Sequence, residues 1–552
     1  MAGDELMTSE EAELNAAIDA ILTSDSPKKL VVAGPGTGKT SLFKKMLEVA
    51  PGVKDQRIVL TFINNLRDDL EKDLGDLARV YTLHAYCLSL LHREALREPL
   101  SPGFRCCPGL AGLIAKDWEL CEGTESPHFV GEMRSLAEEN HVPFYIARGE
   151  YYDAVDFDDT VYRVLDGLES GLAAVDSYEL VLIDEYQDFN ALEAGIIDHL
   201  GNRNRIMIAG DDDQALYSQL RDASWDYIRL LRTAGEYKVF DLPFCMRCPK
   251  VVVDAVNDVI TKARELDRLE GRIDKPYKHF PPAKGADSEK YPQIVNVQVS
   301  VQRGQVNYMG RYIARAIARI PDDEAVAAAH GGYPAALVIV AKPYRDQIID
   351  YLTQDGFVVG TRGDSTPKLE RSKGLSILKD DPYSNLGWRI VLAADKPTFL
   401  QEAINQSAHN TTPLFDVMPD TYRDGVLLEA HAYEPPVEPA GEEGETKPRP
   451  DAPFVQVTSF EGAKGLSAQH VFIAGLHDGE LPRDPASVQD LEVCKFVVGL
   501  TRTRKKCTLL HTRNFAGEWK TPSTFISWIA KERLDFIKVD KAYWESVEKA
   551  DH

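Results

Sequence analysis

The sequence predicts an α/β fold with two parallel β-sheets, each covered by helices on both faces. Short apolar runs, such as residues 180–183, alternate with helical stretches, as buried parallel strands and their crossover helices do. The first of these runs, residues 30–32, ends in a glycine-rich turn that a helix follows. The pattern restarts at residues 336–340, so we expect two separate cores.

The composition of the chain limits the classes of protein to which it can belong. Of its 552 residues, 44% are hydrophobic and 27% are charged, which is an ordinary globular composition. The length corresponds to about three or four domains. No apolar run approaches the roughly 20 residues that span a bilayer, and the acidic N-terminus contains no apolar signal core. We therefore expect no membrane association and a cytoplasmic location.

The charge and the cysteines exclude further classes. The net charge of −24 argues against unspecific coating of nucleic acid, although it allows a local basic groove. The acidic, proline-rich residues 434–453 offer little surface to bury and are expected to form a solvated linker. The eight cysteines are expected to be reduced thiols. Cys245 and Cys248 have CxxC spacing, but no second pair lies nearby, so we expect coincidence rather than zinc.

The individual strands are predicted from apolar runs of strand length. Those in the first half are residues 30–32, 57–62, 180–183 and 206–209, and those in the second half are residues 336–340, 471–474 and 507–510. Two regions show weaker patterns, residues 88–150 and 356–452, and we expect them to be insertions into the two cores.

The strongest single motif is AGPGTGKT at residues 33–40. Its glycines let backbone N–H groups surround phosphates, and the helix that follows adds a favourable dipole. The lysine can reach the β- and γ-phosphates, and the last threonine can bind Mg²⁺. The candidate nucleotide-binding residues of this loop are Gly34, Gly36, Thr37, Gly38, Lys39 and Thr40.

Acidic and amide side chains follow the next two predicted strands. Asp184 and Glu185 come directly after residues 180–183, at the edge of the sheet where the phosphate loop also lies. Asp184 is a candidate Mg²⁺ ligand, and Glu185 is a candidate base for the attacking water. Gln214 follows residues 206–209 and has the reach to sense the γ-phosphate.

These motifs, taken in order with several others, resemble superfamily 1A helicases of the UvrD/Rep/PcrA group. The further segments that match the group are TFINN at 61–65, TLHAY at 82–86, DFDD at 156–159, LPFCMRCP at 242–249, TSFEGAKGL at 458–466, VFIAGLHDGELP at 471–482 and VGLTRTR at 498–504. The resemblance covers most of the chain outside the two insertions. It implies two RecA-like P-loop NTPase cores with small, mostly helical insertions, and ATP as substrate with Mg²⁺.

The resemblance also implies roles for single residues. Arg247 and Arg502 would approach the γ-phosphate from the second core and stabilise charge in the transition state. Gly465 would lie beside the nucleotide. The segments that touch nucleic acid in the group contain Phe62, Asn64, His84 and Tyr217. For the two aromatic rings, burial in the core is an equal alternative to base stacking, and for His84 a structural hydrogen bond is the alternative.

The sequence departs from the group at several positions. Residues 11–18 contain no glutamine where the group has one that recognises adenine. Ser467 replaces the glutamate of the AKGLE box, and Glu461 replaces a histidine. The stretch after Gln214 has one extra residue and lacks the group's second aromatic. These departures predict weaker contacts to base and ribose.

The resulting division of the chain places both insertions between parts of the cores. We expect the first core at residues 1–87 and 151–235, its insertion at 88–150, the second core at 236–355 and 454–552, and its insertion with the acidic linker at 356–453.

Three functions are compatible with this sequence. The leading hypothesis is an ATP-dependent 3′-to-5′ DNA translocase or helicase that acts on single-stranded or tailed DNA in repair or anti-phage defence. The second is a nucleotide-switched sensor or partner subunit of a defence nuclease, with little unwinding. The third is a motor directed by RNA. Polarity and DNA preference come from the resemblance alone.

Overall fold

A computed structural model describes most of the chain, namely residues 8–62, 64–138, 140–300, 308–361, 369–409, 411–434, 454–515 and 517–550. The acidic linker expected at 434–453 lies outside these residues except for its first position.

The strands of the described residues are numbered in chain order. They are β1 Lys28–Ala33, β2 Arg57–Thr61, β3 Arg79–Thr82, β4 Arg105–Cys106, β5 Ala154–Val155, β6 Leu180–Ile183, β7 Ile206–Gly210, β8 Lys238–Leu242, β9 Phe244–Cys245, β10 Lys278–His279, β11 Ile294–Val299, β12 Ala336–Val340, β13 Val359–Thr361, β14 Val455–Thr458, β15 Ala468–Ala474, β16 Thr503–Thr512, β17 Asn514–Phe515, β18 Glu518–Trp519 and β19 Leu534–Val539.

The α-helices of the same residues are numbered likewise. They are α1 Ser9–Leu22, α2 Lys39–Val49, α3 Asn64–Leu74, α4 Leu83–Leu91, α5 Glu94–Arg97, α6 Leu110–Glu122, α7 Phe129–Ser135, α8 Val142–Tyr152, α9 Phe157–Glu169, α10 Ala191–Arg203, α11 Ser218–Arg221, α12 Asp226–Thr233, α13 Lys250–Glu265, α14 Pro281–Lys290, α15 Tyr308–Ile317, α16 Asp322–His330, α17 Lys342–Gln354, α18 Arg371–Asp380, α19 Asn385–Asp395, α20 Leu400–Gln406, α21 Leu414–Val417, α22 Asp420–Ala432, α23 Asp490–Thr501, α24 Thr524–Trp528 and α25 Lys541–Ala550.

Two large parallel sheets organise the described residues, which confirms the predicted fold class. The first sheet has the strand order β3-β2-β6-β7-β1-β8, and the second has the order β13-β14-β12-β15-β16-β11-β19. The central strands are buried from end to end because helices cover both faces, which explains their continuous apolar sequences. Both sheets therefore have the architecture of RecA-like P-loop cores.

Two of the expected boundaries differ from the observed strand pairing. The first sheet extends past residue 235, because β8 pairs in parallel with β1 at its edge. The second sheet includes β13, which lies inside the region expected as an insertion and pairs with β14. Both strands are edge strands, and a partly exposed edge strand lacks the continuous apolar run by which the central strands were predicted.

The two insertion regions are mostly helical and pack against each other. Helices α6 and α8 of the first region contact α19 and α20 of the second. At the centre of this contact, the buried Asp117 carboxylate accepts hydrogen bonds from Arg148 at 2.8 Å and from Arg389 at 2.6 Å. Arg148 also donates to the Ser407 carbonyl at 2.8 Å. A buried ion cluster thus joins two helices of the first insertion region to a helix of the second insertion region.

Candidate nucleotide site

The glycine-rich loop between β1 and α2 is shaped by its contacts with the segment that follows β9. Gly36 and Gly38 have φ angles of 72° and 91°, which only glycine adopts without strain. A Cβ at Gly36 would lie 2.6 Å from Cβ of Arg247, and one at Gly38 would lie 2.3 Å from Cε of Met246. The glycines therefore provide both the backbone turn and the space for close approach.

Hydrogen bonds within the loop fix its outline. The Thr37 hydroxyl donates to the Gly34 carbonyl at 2.9 Å, so this side chain is used inside the loop. The Tyr277 hydroxyl donates to the Pro35 carbonyl at 3.1 Å. A Cβ at Gly34 would lie 2.7 Å from the same tyrosine ring, so the ring packs directly on the loop.

A cavity of about 390 Å³ opens beside this loop, between the two sheets. The sequence-predicted residues that line it are Gly34, Gly36, Thr37, Gly38, Lys39, Thr40, Asp184, Glu185, Gln214, Arg247, Gly465 and Arg502. The structure thus brings together every residue predicted for nucleotide, metal or catalysis. Gly465 has a φ of 81°, and a Cβ there would lie 2.7 Å from Leu66 of α3, so this glycine also allows the two cores to approach.

Lys39 and Glu185 form an ion pair on the cavity floor, with 3.1 Å between Nζ and Oε1. Burial lowers the pKa of Lys39, but the charges of Glu185, Asp184 and Asp211 outweigh burial and raise it above its usual value. Burial likewise opposes ionisation of Glu185, yet Lys39 and Lys464 hold its pKa far below the usual range. Both groups are therefore charged, and the lysine is available to an anion that competes with the glutamate.

Asp184 and Thr40 offer oxygen ligands at the same place. Burial and the adjacent Glu185 charge raise the pKa of Asp184 above its usual value. Among the described residues, Asp184 forms no direct ion pair, and one of its oxygens accepts the Glu185 N–H at 3.0 Å. A buried carboxylate that forms no direct ion pair, in a cavity that the Thr40 hydroxyl also lines, fits Mg²⁺, which prefers oxygen ligands and a near-octahedral shell completed by water and phosphate.

Arg502 joins the second core to the first at this cavity. Its guanidinium donates to Oε1 of Gln214 at 3.0 Å, and Gln214 donates to Asp211 at 2.8 Å. Burial and the neighbouring Arg247 lower the pKa of Arg502 to about 10, so it stays charged at neutral pH. Arg247 donates to the Thr501 carbonyl at 3.3 Å. Both predicted arginines therefore face the phosphate loop.

Lys464 is a residue of this site that was not singled out from the sequence, although it lies in the AKGL segment. Its buried ammonium forms a short ion pair with Asp188, donates to the Gln214 carbonyl at 2.7 Å and lies 3.8 Å from Glu185. A cation of the second core is thus inserted among the acids of the first. The sequence feature that could have identified Lys464 is its position inside a segment that resembles the helicase group.

A second ion cluster lies behind Gln214. Lys275, which is buried, forms ion pairs with Asp211, Asp212 and Asp213 at 2.7, 2.7 and 2.8 Å. Arg272 adds a two-pronged contact to Asp213, with both distances 2.7 Å. Three consecutive aspartates are typical of a solvated turn, but here they are buried and neutralised by cations that come from a distant part of the sequence.

The candidate nucleic-acid residues have different environments. Phe62 is only 2% exposed and packs edge-on against Tyr217 at 4.9 Å, so its ring offers no face to a base in this conformation. Tyr217 is half-buried and donates to the Glu461 carbonyl at 3.2 Å. Burial, with Arg221, lowers the pKa of His84 to about 4, so it is neutral. Asn64 begins α3, and its side chain lies outside the described atoms.

A larger groove of about 630 Å³ runs between α11 of the first core and the second core. Its basic side chains are Lys342, Arg345, Arg483 and Lys495. Acidic groups lie among them, and Lys495 pairs with Glu461 at 2.7 Å. These residues were not predicted from the sequence. The sequence feature that could have identified them is the pair Lys342 and Arg345. This pair follows the buried strand β12, just as Asp184 and Glu185 follow β6.

Comparisons with known proteins agree with this geometry. A family model described as an AAA domain matches residues 16–219, which include the phosphate loop and the acids after β6 and β7. The ATP-dependent DNA helicase PcrA of Bacillus subtilis is 25% identical over 287 residues, or 44% of this chain and 38% of PcrA. The chain is thus similar to helicases of the UvrD/Rep/PcrA group.

Two further relatives extend this similarity towards the second core. The ATP-dependent DNA helicase UvrD2 of Mycobacterium tuberculosis is 26% identical over 419 residues, covering 70% of this chain and 56% of the relative. DNA helicase II of Haemophilus influenzae is 23% identical over 481 residues, covering 70% of this chain and 63% of the relative. The chain thus spans less than two thirds of the length of these relatives. Among its described residues, no helix is both long and apolar enough to cross a bilayer.

Proposed function

We propose that this chain hydrolyses ATP with Mg²⁺ in the cavity between its two sheets and uses the cycle to move 3′-to-5′ along single-stranded DNA. The observation that carries the proposal is the contact of Arg502 with Gln214, which places a cation of the second core against the phosphate site of the first. The named DNA helicases among its relatives support the substrate class. The decisive experiment measures ATP turnover alone and with single-stranded DNA, RNA or duplex.

The ion pair on the cavity floor suggests how hydrolysis begins. The phosphates of a nucleotide compete with Glu185 for the Lys39 ammonium, which lies at the N-terminus of α2. Glu185, released from Lys39 and still held by Gln187 at 2.6 Å, then orients the attacking water and accepts its proton. Thr40 and Asp184 would hold the metal ion, which when bound would neutralise charge on the β- and γ-phosphates.

The two arginines couple this chemistry to motion. Arg247 and Arg502 supply positive charge that is most useful when negative charge develops on the transferred phosphoryl group. Both belong to the segments that support the second sheet, so their contact with phosphate draws the two cores together. Phosphate release removes the anion that holds them, and the cleft opens. One such cycle provides one step along the strand.

The nucleic-acid path in this proposal follows the groove that contains Lys342, Arg345 and Arg483. Lys342 and Arg483 are exposed, and both belong to the second core, facing Gln219 and Leu220 of the first. Cationic side chains at this place attract backbone phosphates without sequence preference. Closure of the cleft changes the width of this groove, because its two walls belong to different cores.

The packing of the two insertions favours a second candidate function. Because α6 and α8 bind α19 through buried Asp117, the insertions form one helical body instead of two arms that could hold a duplex separately. Such a body suits a nucleotide-switched subunit that signals to a partner, for example a nuclease in phage defence. ATP turnover that no nucleic acid stimulates would favour this second function over a translocase.

Nucleotide choice is expected to be relaxed. Ser467, at the position of the group's ribose-binding glutamate, accepts a hydrogen bond from Arg504 at 2.9 Å. Among the described residues that line the cavity, none is aromatic, so no ring is available there to stack on a base. Phosphate contacts then dominate, and we expect GTP and ATP turnover within about tenfold, or about 1.4 kcal/mol. Steady-state kinetics with both nucleotides test this, and a hundredfold preference for ATP would contradict it.

Unwinding by the chain alone is expected to be poor. The net charge of −24 limits its grip on duplex phosphates, and its insertions are tied to each other. Single-stranded DNA should stimulate ATP turnover, whereas a long duplex with a 3′ tail should be opened only weakly. Strand displacement and ATP turnover are measured at the same salt concentration. Efficient opening of a long duplex by the lone chain would show that no partner is needed.

A further inference from the structure

Two buried cysteines flank Arg247 beside the phosphate loop. Cys245 is the last residue of β9, and Cys248 lies two residues before α13. The Cys248 N–H donates to the Cys245 sulfur at 3.4 Å. Among the described residues, neither is in a disulfide. The Cys245 sulfur therefore lies against the backbone of Cys248, at the other end of the short turn that contains the arginine.

The pair contacts both halves of the nucleotide site. A Cβ at Gly36 would lie 3.2 Å from the Cys245 sulfur, so this sulfur packs directly behind the phosphate loop. The Cys248 thiol donates to the Thr501 carbonyl at 3.6 Å, and Arg247 donates to the same carbonyl. Thr501 precedes Arg502. A change in the bonding of these sulfurs is thus transmitted to the loop and to both arginines.

We propose that Cys245 and Cys248 form a reversible disulfide that switches off nucleotide hydrolysis by displacing Arg247 from the phosphate loop. Formation of the S–S bond removes the thiol that donates to Thr501 and draws together the two ends of the turn. Arg247, between them, cannot keep its close approach to Gly36. The predicted loss of hydrolysis rests on the proposed ATP hydrolysis, whereas the predicted formation of the disulfide does not.

The pKa values of the two thiols are shifted in opposite directions, which suits such a reaction. Burial opposes the thiolate of Cys245, but the neighbouring Cys248 and Tyr277 side chains and two backbone N–H groups outweigh burial and lower the pKa of Cys245. Burial raises the pKa of Cys248. Cys245 is therefore the nucleophile, and Cys248 is the protonated thiol that completes the bond.

The oxidant that fits is a small peroxide. The Cys245 thiolate attacks one peroxide oxygen, the O–O bond breaks, and hydroxide leaves as a sulfenic acid forms. The Cys248 sulfur then attacks that sulfur and loses its proton, and water leaves as the S–S bond forms. Two electrons pass from the sulfurs to the peroxide, and a dithiol later reduces the disulfide to the two thiols by exchange, being oxidised itself. The nucleotide cavity borders Gly36 and Arg247, which adjoin the two buried cysteines, so bound nucleotide should protect the pair from peroxide.

The test treats the full, reduced chain with hydrogen peroxide, with and without a non-hydrolysable ATP analogue. Peptide mapping without reductant reports the disulfide, and ATP turnover is measured before oxidation, after it and after dithiothreitol. We expect a Cys245–Cys248 cross-link, a loss of turnover of about 100-fold, as for a catalytic group misplaced by about 1 Å, and recovery with dithiothreitol. Cys248→Ser and Cys245→Ser should keep their turnover in peroxide, whereas Cys106→Ser, a change at an exposed thiol, should respond like the wild type.

The outcomes separate this inference from the proposed function. Free thiols after peroxide treatment, or a cross-link that leaves turnover unchanged, would overturn the switch. Inactivation that persists in both serine variants would also overturn it, because another group would then be the target. A reduced chain without any turnover would contradict the proposed hydrolysis and the gating together, while the peptide map still decides whether the disulfide forms.

Discussion

Lys39→Ala should reduce ATP hydrolysis by at least about 100-fold, the usual cost of removing one donor that stabilises transition-state charge. Lys39 is the first residue of α2, and its ammonium lies on the floor of the cavity, 3.1 Å from Glu185. Without it, the γ-phosphate loses its nearest cation of the first core, and Glu185 loses the partner that keeps it ionised. Steady-state ATP turnover measures the loss.

Two further variants make this result specific. Lys45→Ala removes an exposed lysine from the same helix and should behave like the wild type. Glu185→Gln keeps the shape of the side chain but removes the base, so it should bind nucleotide and hydrolyse it very slowly. Fluorescent-nucleotide binding separates the two effects. Turnover of wild-type magnitude in Lys39→Ala would show that the loop does not hold the reacting phosphates.

Lys275→Met should destabilise the protein by about 3–5 kcal/mol, because removing one partner of a buried ion pair leaves uncompensated charge. The lysine contacts all three carboxylates of residues 211–213, and two of these contacts are 2.7 Å long. Arg272 and Arg229 still reach Asp213 and Asp212, so the uncompensated charge falls mainly on Asp211. Urea unfolding followed by fluorescence reports the change.

The matched control for this variant is Lys278→Met. Lys278 lies three residues further along and pairs with Glu13 at the surface, where an ion pair contributes little. It should therefore unfold like the wild type. The double variant that also carries Asp211→Asn should recover part of the lost stability, since the unpaired charge is then gone. Equal effects of Lys275→Met and Lys278→Met would contradict the electrostatic explanation.

The phosphate site could be predicted from the sequence because its components are local. Gly36 and Gly38 must adopt a left-handed backbone next to a helix, and Asp184 and Glu185 must follow a buried strand. Strand, turn and helix are each encoded within a few residues. Their convergence on one cavity then follows from the parallel sheet, whose carboxyl ends lie at one edge.

The contacts between distant segments could not be predicted in this way. Lys275 pairs with aspartates more than sixty residues earlier, and no local pattern marks a lysine whose partners are so far along the chain. Phe62 illustrates an alternative that the sequence leaves open. It follows strand β2 at a segment that touches nucleic acid in the UvrD/Rep/PcrA group, but the sequence does not say which way its ring turns, and here it packs on Tyr217.

The strand edges mark a third limit of prediction. β8 is only partly buried, so its sequence lacks the continuous apolar run of the central strands, and its position beside β1 depends on a pairing that the sequence does not display. The same holds for β13, which is an edge strand of the second sheet and pairs with β14. Interior strands can be identified from their apolar composition, whereas edge strands can be identified only from the strand with which they pair.

The salt-bridged junction around Asp117 gives the molecule a closed mechanical loop. The two insertion regions are joined to each other by the ion pairs of Asp117 with Arg148 and Arg389, so the two halves of the molecule are connected at this junction as well as at the nucleotide cavity. A motion that separates the walls of the cavity must then either pivot about the Asp117 junction or break its buried ion pairs. Breaking them is costly, because it leaves uncompensated buried charge.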